Sequence, residues 1–204
     1  MIWILFMFMF SLNNNMYPNK IQRADSLLNK NHSSSHLNNF GYDSTDVFIL
    51  IKLSEQKLYL VQNGTIQASY PISSSKYGIG SEAGSFKTPL GVHRISKKIG
   101  EKAERGTIFK NGLDTGRIAQ IFKDSTDVPE DYITSRILWL EGLEKGKNKG
   151  RGIDSYQRRI YIHGTAEEGL VGQTASHGCI RMINSQIIEL FDRVLLGTLV
   201  DIQE

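Results

Sequence analysis

The stretch VFILIKLSEQKLYLVQNGTIQASYPI, residues 47–72, decides the fold class. Val47-Phe48-Ile49-Leu50-Ile51 is an apolar run of strand length, rich in residues branched at Cβ, which pack better on a pleated sheet than in a helix. Ser54-Glu55-Gln56 supplies a turn, and Leu58-Tyr59-Leu60-Val61 returns as a second strand. Asn63-Gly64 is the residue pair that a type I′ hairpin requires, and a third strand follows from Thr65 to Ile72. Strands joined by turns this short pair antiparallel. Pro71 has no N–H to give a neighbour, which puts the end of the third strand at an edge or a terminus.

Toward the C-terminus, Ser73–Gly91 is a Ser/Gly-rich loop closing on Thr88-Pro89-Leu90-Gly91, and Val92-His93-Arg94-Ile95 reads as another strand. Residues 96–136 are basic, then mixed, with no period that assigns them. Ile137-Leu138-Trp139-Leu140 is a short apolar run, 144–159 a charged, Gly-rich loop, and Ile160-Tyr161-Ile162 a strand that delivers His163. Past Cys179, apolar residues at Ile187, Ile188, Phe191, Val194 and Leu195 have helical spacing. That predicts a helix over 185–196, with Asn184 as N-cap and Gly197 as its stop, before a last strand at 198–202. The expected class is mainly β with a helix in the C-terminal region.

Toward the N-terminus the reading is of extra sequence. Met1–Phe10 is apolar but too short to span a bilayer, which takes about 20 residues. It resembles the apolar segment of a secretory signal, without the basic start or the small-residue cleavage site. Residues 1–12 are therefore read as a signal or short anchor, with export as the expectation, and membrane contact only through that segment. Residues 13–45, rich in Asn and Ser, read as a linker, so that the domain spans 46–204. His32 and His36, four apart in that tract, lack the further ligands a metal would need. Asp-Ser-Thr-Asp-Val occurs at 43–47 and at 124–128, but the flanks differ and no repeat follows.

A chain of 204 residues, 40% apolar and 22% charged, suits one globular domain with a tail. Its net charge of +3 suits an anionic partner but is too mild for the dense basic face that nucleic acid demands. There is one cysteine, so no internal disulfide forms, and a lone thiol in an exported protein is an oxidation liability unless it has work to do.

The residues around that cysteine suggest the work. Ile162-His163-Gly164-Thr165 and Ser176-His177-Gly178-Cys179-Ile180-Arg181-Met182 bring two histidines and an arginine close in sequence to the thiol. Sulfur attacks as thiolate, and a free thiol with a pKa of about 8.5 needs an imidazole or a positive charge to help it. Gly178 lets the chain turn sharply before Cys179, and amides in such a turn can point at a tetrahedral oxyanion. Zinc is the alternative, with Cys179, His177 and His163 as ligands and water as the fourth. Against it stand the missing second Cys and the tight spacing of His177 and Cys179. An inert structural Cys is the bland reading, but such residues lie in apolar runs, not among Gly, Ser and Thr.

At these residues the sequence resembles the YkuD-type L,D-transpeptidase catalytic domain, over about residues 46–204. The strings that carry the resemblance are Ser176-His177-Gly178-Cys179-Ile180-Arg181, the upstream His163-Gly164-Thr165, the early hairpins, Thr88-Pro89-Leu90-Gly91 and the helix-Gly-Thr-x-Val ending. The resemblance implies a sandwich-like β domain with a helix near the site and no cofactor or metal. It implies Cys179 as nucleophile, His163 as its base and the Gly164 backbone carbonyl as the group orienting the imidazole. His177, Gly178 and Cys179 would line the oxyanion pocket. Arg181 would steady the turn or bind a substrate carboxylate, with Ser176 also on the substrate side. The implied reaction is acyl transfer in the bacterial cell envelope or periplasm. Cys179 takes a peptidoglycan tetrapeptide stem as a thioester, D-Ala leaves, and an amine of a second stem or of a wall-anchored protein accepts the acyl group. The rivals are hydrolysis at the same site, by an L,D-carboxypeptidase or an amidase-type enzyme that cleaves a protein–wall anchor, and a wall-binding module that has lost catalysis. A further expectation concerns Trp139: part of 96–159 would fold over the cleft as a lid, with Trp139 on the substrate. The alternative is Trp139 as core.

Overall fold

The structure is a computed structural model and describes residues 34–43 and 46–204. The expected leader or anchor at 1–12, and the 13–33 part of the expected linker with His32, lie outside the described residues. Ten strands form one hydrogen-bonded sheet: β1 (Val47–Lys52), β2 (Lys57–Gln62), β3 (Thr65–Pro71), β4 (Gly91–Ile99), β5 (Thr107–Lys110), β6 (Leu113–Ile118), β7 (Ile133–Gly142), β8 (Tyr161–Thr165), β9 (Ile180–Met182) and β10 (Leu199–Gln203). Among the described residues there is one α-helix, α1 (Asn184–Arg193), between β9 and β10.

The first three strands form the expected meander, with Asn63 and Gly64 at φ 51° and 66° in the hairpin turn, and β3 at the sheet edge. β1 is flanked by β2 and, in parallel, by β10, with Phe48 opposite Leu199 and Ile51 opposite Ile202. The order runs β3-β2-β1-β10-β4-β7-β5-β6, and β8 and β9 branch from β7. Ile162 of β8 and Ile180 and Met182 of β9 fall in the same buried cluster as Ile49, Leu58 and Val200. The sheet therefore bends at β7 and its two arms close on a shared core, the sandwich-like arrangement expected. The opposite face of β1 is also covered: Phe48 and Leu50 pack with Tyr59, Val92 and Leu37. Burial on both faces is why β1 reads as a continuous apolar run instead of an alternating one.

Three segments differ from the sequence reading. A 3-10 helix at Ser34–Phe40 lies within the tract read as linker, and Leu37 in it is fully buried. The unassigned 96–136 region contains the end of β4, the β5–β6 hairpin and the start of β7; that hairpin turns on Asn111-Gly112 at φ 56° and 80°. Asn184 is the first helical residue instead of the cap. Its amide N–H donates to Glu168 Oε1 at 2.9 Å, so a carboxylate from outside the helix satisfies the N-terminus, where the helix dipole favours negative charge. The helix stops at Arg193, and Leu195, expected on its buried face, is 76% exposed.

Candidate active site

The site is built where β8 and β9 run side by side. Ile162 and Ile180 are register partners and both enter the core, as does Met182. Side chains alternate along a strand, so Tyr161 and His163 of β8, with Arg181 of β9 and Cys179 just before that strand, take the opposite face. His163 lies directly across from Arg181, and Cys179 is a diagonal step away. The topology thus joins the two motifs.

Each member is held by named partners. His163 is buried, and its Nδ1 is 2.7 Å from the Gly164 carbonyl. A carbonyl can only accept, so Nδ1 carries the proton and Nε2 keeps its lone pair. Gly164 must be glycine for space: a Cβ there would meet Asn184 Oδ1 at 2.5 Å and the Thr134 carbonyl at 2.7 Å. Burial pushes the His163 imidazole below its ordinary pKa, against the opposing pull of Asp131 and the Gly164 carbonyl. The Cys179 thiol is pushed up to about 12, by burial first and by Asp131 second. Its Sγ donates to the Arg159 carbonyl at 3.4 Å, not to His163. At neutral pH the resting pair is therefore a neutral thiol and a neutral imidazole.

The turn before Cys179 is fastened on both sides. Gly178 has φ 118°, a conformation side chains resist, and its carbonyl accepts from the buried Thr88 hydroxyl at 3.1 Å. Thr88 Oγ1 also accepts from the Ser75 amide at 3.1 Å, which gives the Thr-Pro-x-Gly string a physical task. Ser176 Oγ donates to the Cys179 carbonyl at 2.6 Å and accepts from the Gly178 amide at 3.2 Å. Ser176 is buried and braces the turn, which corrects its expected place on the substrate side.

Two further expectations need revision. Arg181 is 1% exposed, with Nε 2.9 Å from Asp131 Oδ1 and Nη1 bonded to Glu167. Enclosed by two carboxylates, it steadies the turn and has no route to a substrate carboxylate. The oxyanion expectation also meets occupied donors: the His177 amide gives to Asp131 Oδ2 at 3.3 Å, and the Gly178 amide to Ser176. His177 Nδ1 lies 3.1 Å from the same Asp131 oxygen. Asp131 therefore ties the His177 turn to Arg181. Burial alone would raise its carboxyl, but Arg181, His163 and the bonds from Arg181 and His177 outweigh that and hold it below the usual range. Asp131 is the residue the sequence reading missed, and its irregular surroundings carry no local signal.

Beside the thiol lies a cleft of about 510 Å³, lined by Ala83, Gly84, Phe86, Gly152, Asp154, Gln157, Arg158 and Ile160 together with His177 and Cys179. Part of the expected lid, residues 152–158, thus forms one wall. Polar anchors fix that wall: Asn148 donates to the Leu90 and Val92 carbonyls at 3.0 and 3.1 Å, and buried His93 meets Ser155 Oγ at 3.0 Å. Trp139 is not in the cleft lining. It stacks on Tyr156 at 4.9 Å and donates to the Tyr156 carbonyl at 3.1 Å, holding the wall from behind. Among the described residues, no group of three or more His, Cys, Asp and Glu is disposed to hold a metal, and no helix is long and apolar enough to cross a membrane.

Comparison with known proteins gives a consistent result. The family described as the YkuD L,D-transpeptidase catalytic domain matches residues 46–202. YqjB of Bacillus subtilis (strain 168), a provisional L,D-transpeptidase, is 24% identical over 154 residues, 75% of this chain and 69% of that protein. An L,D-transpeptidase from Mycobacterium smegmatis shares 17% identity at a TM-score of 0.47, covering 78% of this chain and 59% of that one. L,D-transpeptidase 3 of Mycobacterium tuberculosis, solved with a faropenem-derived adduct, shares 16% at 0.48, over 78% and 60%. An Enterococcus faecium L,D-transpeptidase mutant shares 19% at 0.46, over 78% and 50%. This chain spans between half and three fifths of the length of these solved chains.

Proposed function

The chain belongs to the YkuD L,D-transpeptidase catalytic-domain family, and from that premise we propose that it is a cysteine acyltransferase acting on peptidoglycan stems in the cell envelope. The observation that carries this reading is the pairing of β8 with β9. It sets the only thiol of the chain and a tautomer-fixed imidazole on one sheet face, with Cys179 lining a cleft.

The chemistry follows from the resting bonds. Sγ leaves the Arg159 carbonyl and turns toward His163. As sulfur attacks the carbonyl between the third residue of the stem and the terminal D-Ala, its proton passes to His163 Nε2. The tetrahedral oxyanion takes its hydrogen bonds from amides of the 177–179 turn, the Gly178 N–H exchanging Ser176 Oγ for the oxyanion. Collapse expels the D-Ala amine, which takes the proton back from His163, and a thioester remains. An amine then attacks the thioester carbonyl, and the sulfur departs with the proton that His163 removes from that amine. The result is a 3→3 cross-link when the amine belongs to another stem. The neutral thiol–imidazole pair protects the sulfur between turnovers, because a protonated thiol is a poor target for oxidants.

Incubation with purified muropeptides, read by mass spectrometry, tests this. The wild-type chain should release D-Ala and produce cross-linked dimers, and Cys179→Ala should do neither while keeping its fold. Release of D-Ala with only free tripeptide would make the enzyme a carboxypeptidase. Muropeptides unchanged by folded wild-type protein would overturn the assignment.

A further inference from the structure

Arg158 lines the same cleft as Cys179, and its chain neighbour Arg159 supplies the carbonyl on which the thiol rests. Its guanidinium is aimed by two main-chain carbonyls: Nη1 donates to Gly80 at 3.2 Å and Nη2 to Lys87 at 2.7 Å. Both acceptors are neutral. Among the described residues, no carboxylate stands within ion-pair distance of Arg158, whereas the deeper Arg181 is matched by two. The cleft's own acid, Asp154, spends Oδ1 on the Gln157 amide at 2.9 Å. Glu82 acts on Arg158 only from beyond ion-pair distance, so a half-buried cation of fixed direction, in a cleft lined partly by Ala83, Gly84 and Gly152, is left to pair with an anion from outside.

We propose that Arg158 forms a carboxylate-binding subsite of the cleft, receiving the terminal carboxylate of the D-amino acid expelled in the acyl-transfer step. The proposal rests on the acyl-transfer reading above. In a terminal D-amino acid the carboxylate is bonded to Cα, and Cα to the amide nitrogen that leaves. The anion therefore sits only a few bonds from the carbon that Cys179 attacks, so a cation bordering the nucleophile meets it. A guanidinium matches a carboxylate with paired N–H donors, which orients the scissile bond as well as holding it. The subsite would select stems that end in a free carboxylate and would discriminate against amidated ends.

The test uses two alkylating agents, iodoacetate and iodoacetamide. Both react by the same displacement: a bond forms between thiolate sulfur and carbon while the carbon–iodine bond breaks and iodide leaves. They differ in the charge beside the reacting carbon. A change in thiolate fraction alters both rates equally, so their ratio reports the charge that the cleft presents. At pH 9 the wild-type ratio of iodoacetate to iodoacetamide rates should exceed that of a small uncharged thiol by about fivefold or more, and shrink in high salt. R158Q should fall to the small-thiol ratio, and R158K should keep most of the preference. Equal ratios in wild type and R158Q, with matching unfolding temperatures, would overturn the subsite. Should R158Q not fold, a wild-type ratio no higher than that of the free thiol overturns it alone. A second arm compares stem peptides ending in D-Ala carboxylate or carboxamide: wild type should favour the acid several-fold, chiefly through KM, and R158Q should not. An iodoacetate preference without D-Ala release would sink the proposed reaction and leave the anion subsite standing; D-Ala release with no preference does the converse.

Discussion

At the residue scale the Cys179 thiol, raised to about 12, stands opposite to the lowered pKa values that are common where a cysteine acts as a nucleophile. The sign of the consequence is direct: a raised thiol pKa leaves little thiolate at neutral pH, and that fraction grows with every step toward alkaline pH. Alkylation of Cys179 by neutral iodoacetamide should therefore rise steadily from pH 7 past pH 10, about tenfold per pH unit, with no plateau near 8.5. A plateau at that ordinary value would show that the buried environment does not act on the sulfur. Cys179 and His163 were legible as a candidate site because their motifs keep them beside glycine turns, whereas the contact of His163 with the Gly164 carbonyl was implied only by the family resemblance. Asp131 and Arg158 were not legible, because each lies in an irregular segment, and Asp131 reaches His177 and Arg181, and Arg158 the cleft, only through tertiary packing. Arg181 and Ser176 were legible as site residues but not in their tasks: both face inward, to Asp131 and Glu167 or to the turn itself.

Elements were legible in proportion to their local signals. The meander showed itself through Asn63-Gly64, and the same signal stands at Asn111-Gly112, where surrounding charge masked it: every residue of β6 is exposed, so no apolar alternation marks the strand. The helix was visible from its period, but its ends are set by distant groups. Glu168 caps the start, and Lys98, from β4, donates to the Phe191 and Val194 carbonyls at 2.6 Å each beyond the last turn. A cation at a helix C-terminus meets both the unpaired carbonyls and the negative end of the helix dipole. Lys98→Met keeps the apolar stem over Phe191 and removes the donor. It should lower unfolding free energy by about 2 kcal/mol, measured by urea titration, with an unchanged m-value. No loss would mean that water serves those carbonyls equally well.

At the scale of the whole molecule, two readouts test how the parts depend on one another. Leu37 is completely buried against the outer face of β1 and β2, so Leu37→Ala should cost about 2–4 kcal/mol. A chain whose fold begins only at Asp46 would not register the change. Burial holds the His93 imidazole down to about 4, against an ordinary 6.5, while it joins β4 to the cleft wall through Ser155. Between those values the unfolded chain takes up a proton that the folded chain refuses. Stability should be full above pH 6.5 and fall by roughly 3 kcal/mol as pH drops toward 4. His163, lowered by burial too, adds in the same direction, so H93Q should flatten the slope without abolishing it. The seating of β10 between β1, to which it is parallel, and β4, to which it is antiparallel, has a consequence for the order of folding. Among the described strands, β2 to β9 all lie between β1 and β10 in the sequence, so β1 is synthesised long before its parallel neighbour. A chain that has not yet presented residues 199–203 leaves β1 and β4 without the strand that joins them. Until β10 is seated, the β1–β2–β3 meander and the strands that carry His163 and Arg181 share no strand-to-strand pairing among the described residues, so one short strand holds the two halves of the sheet in a single network.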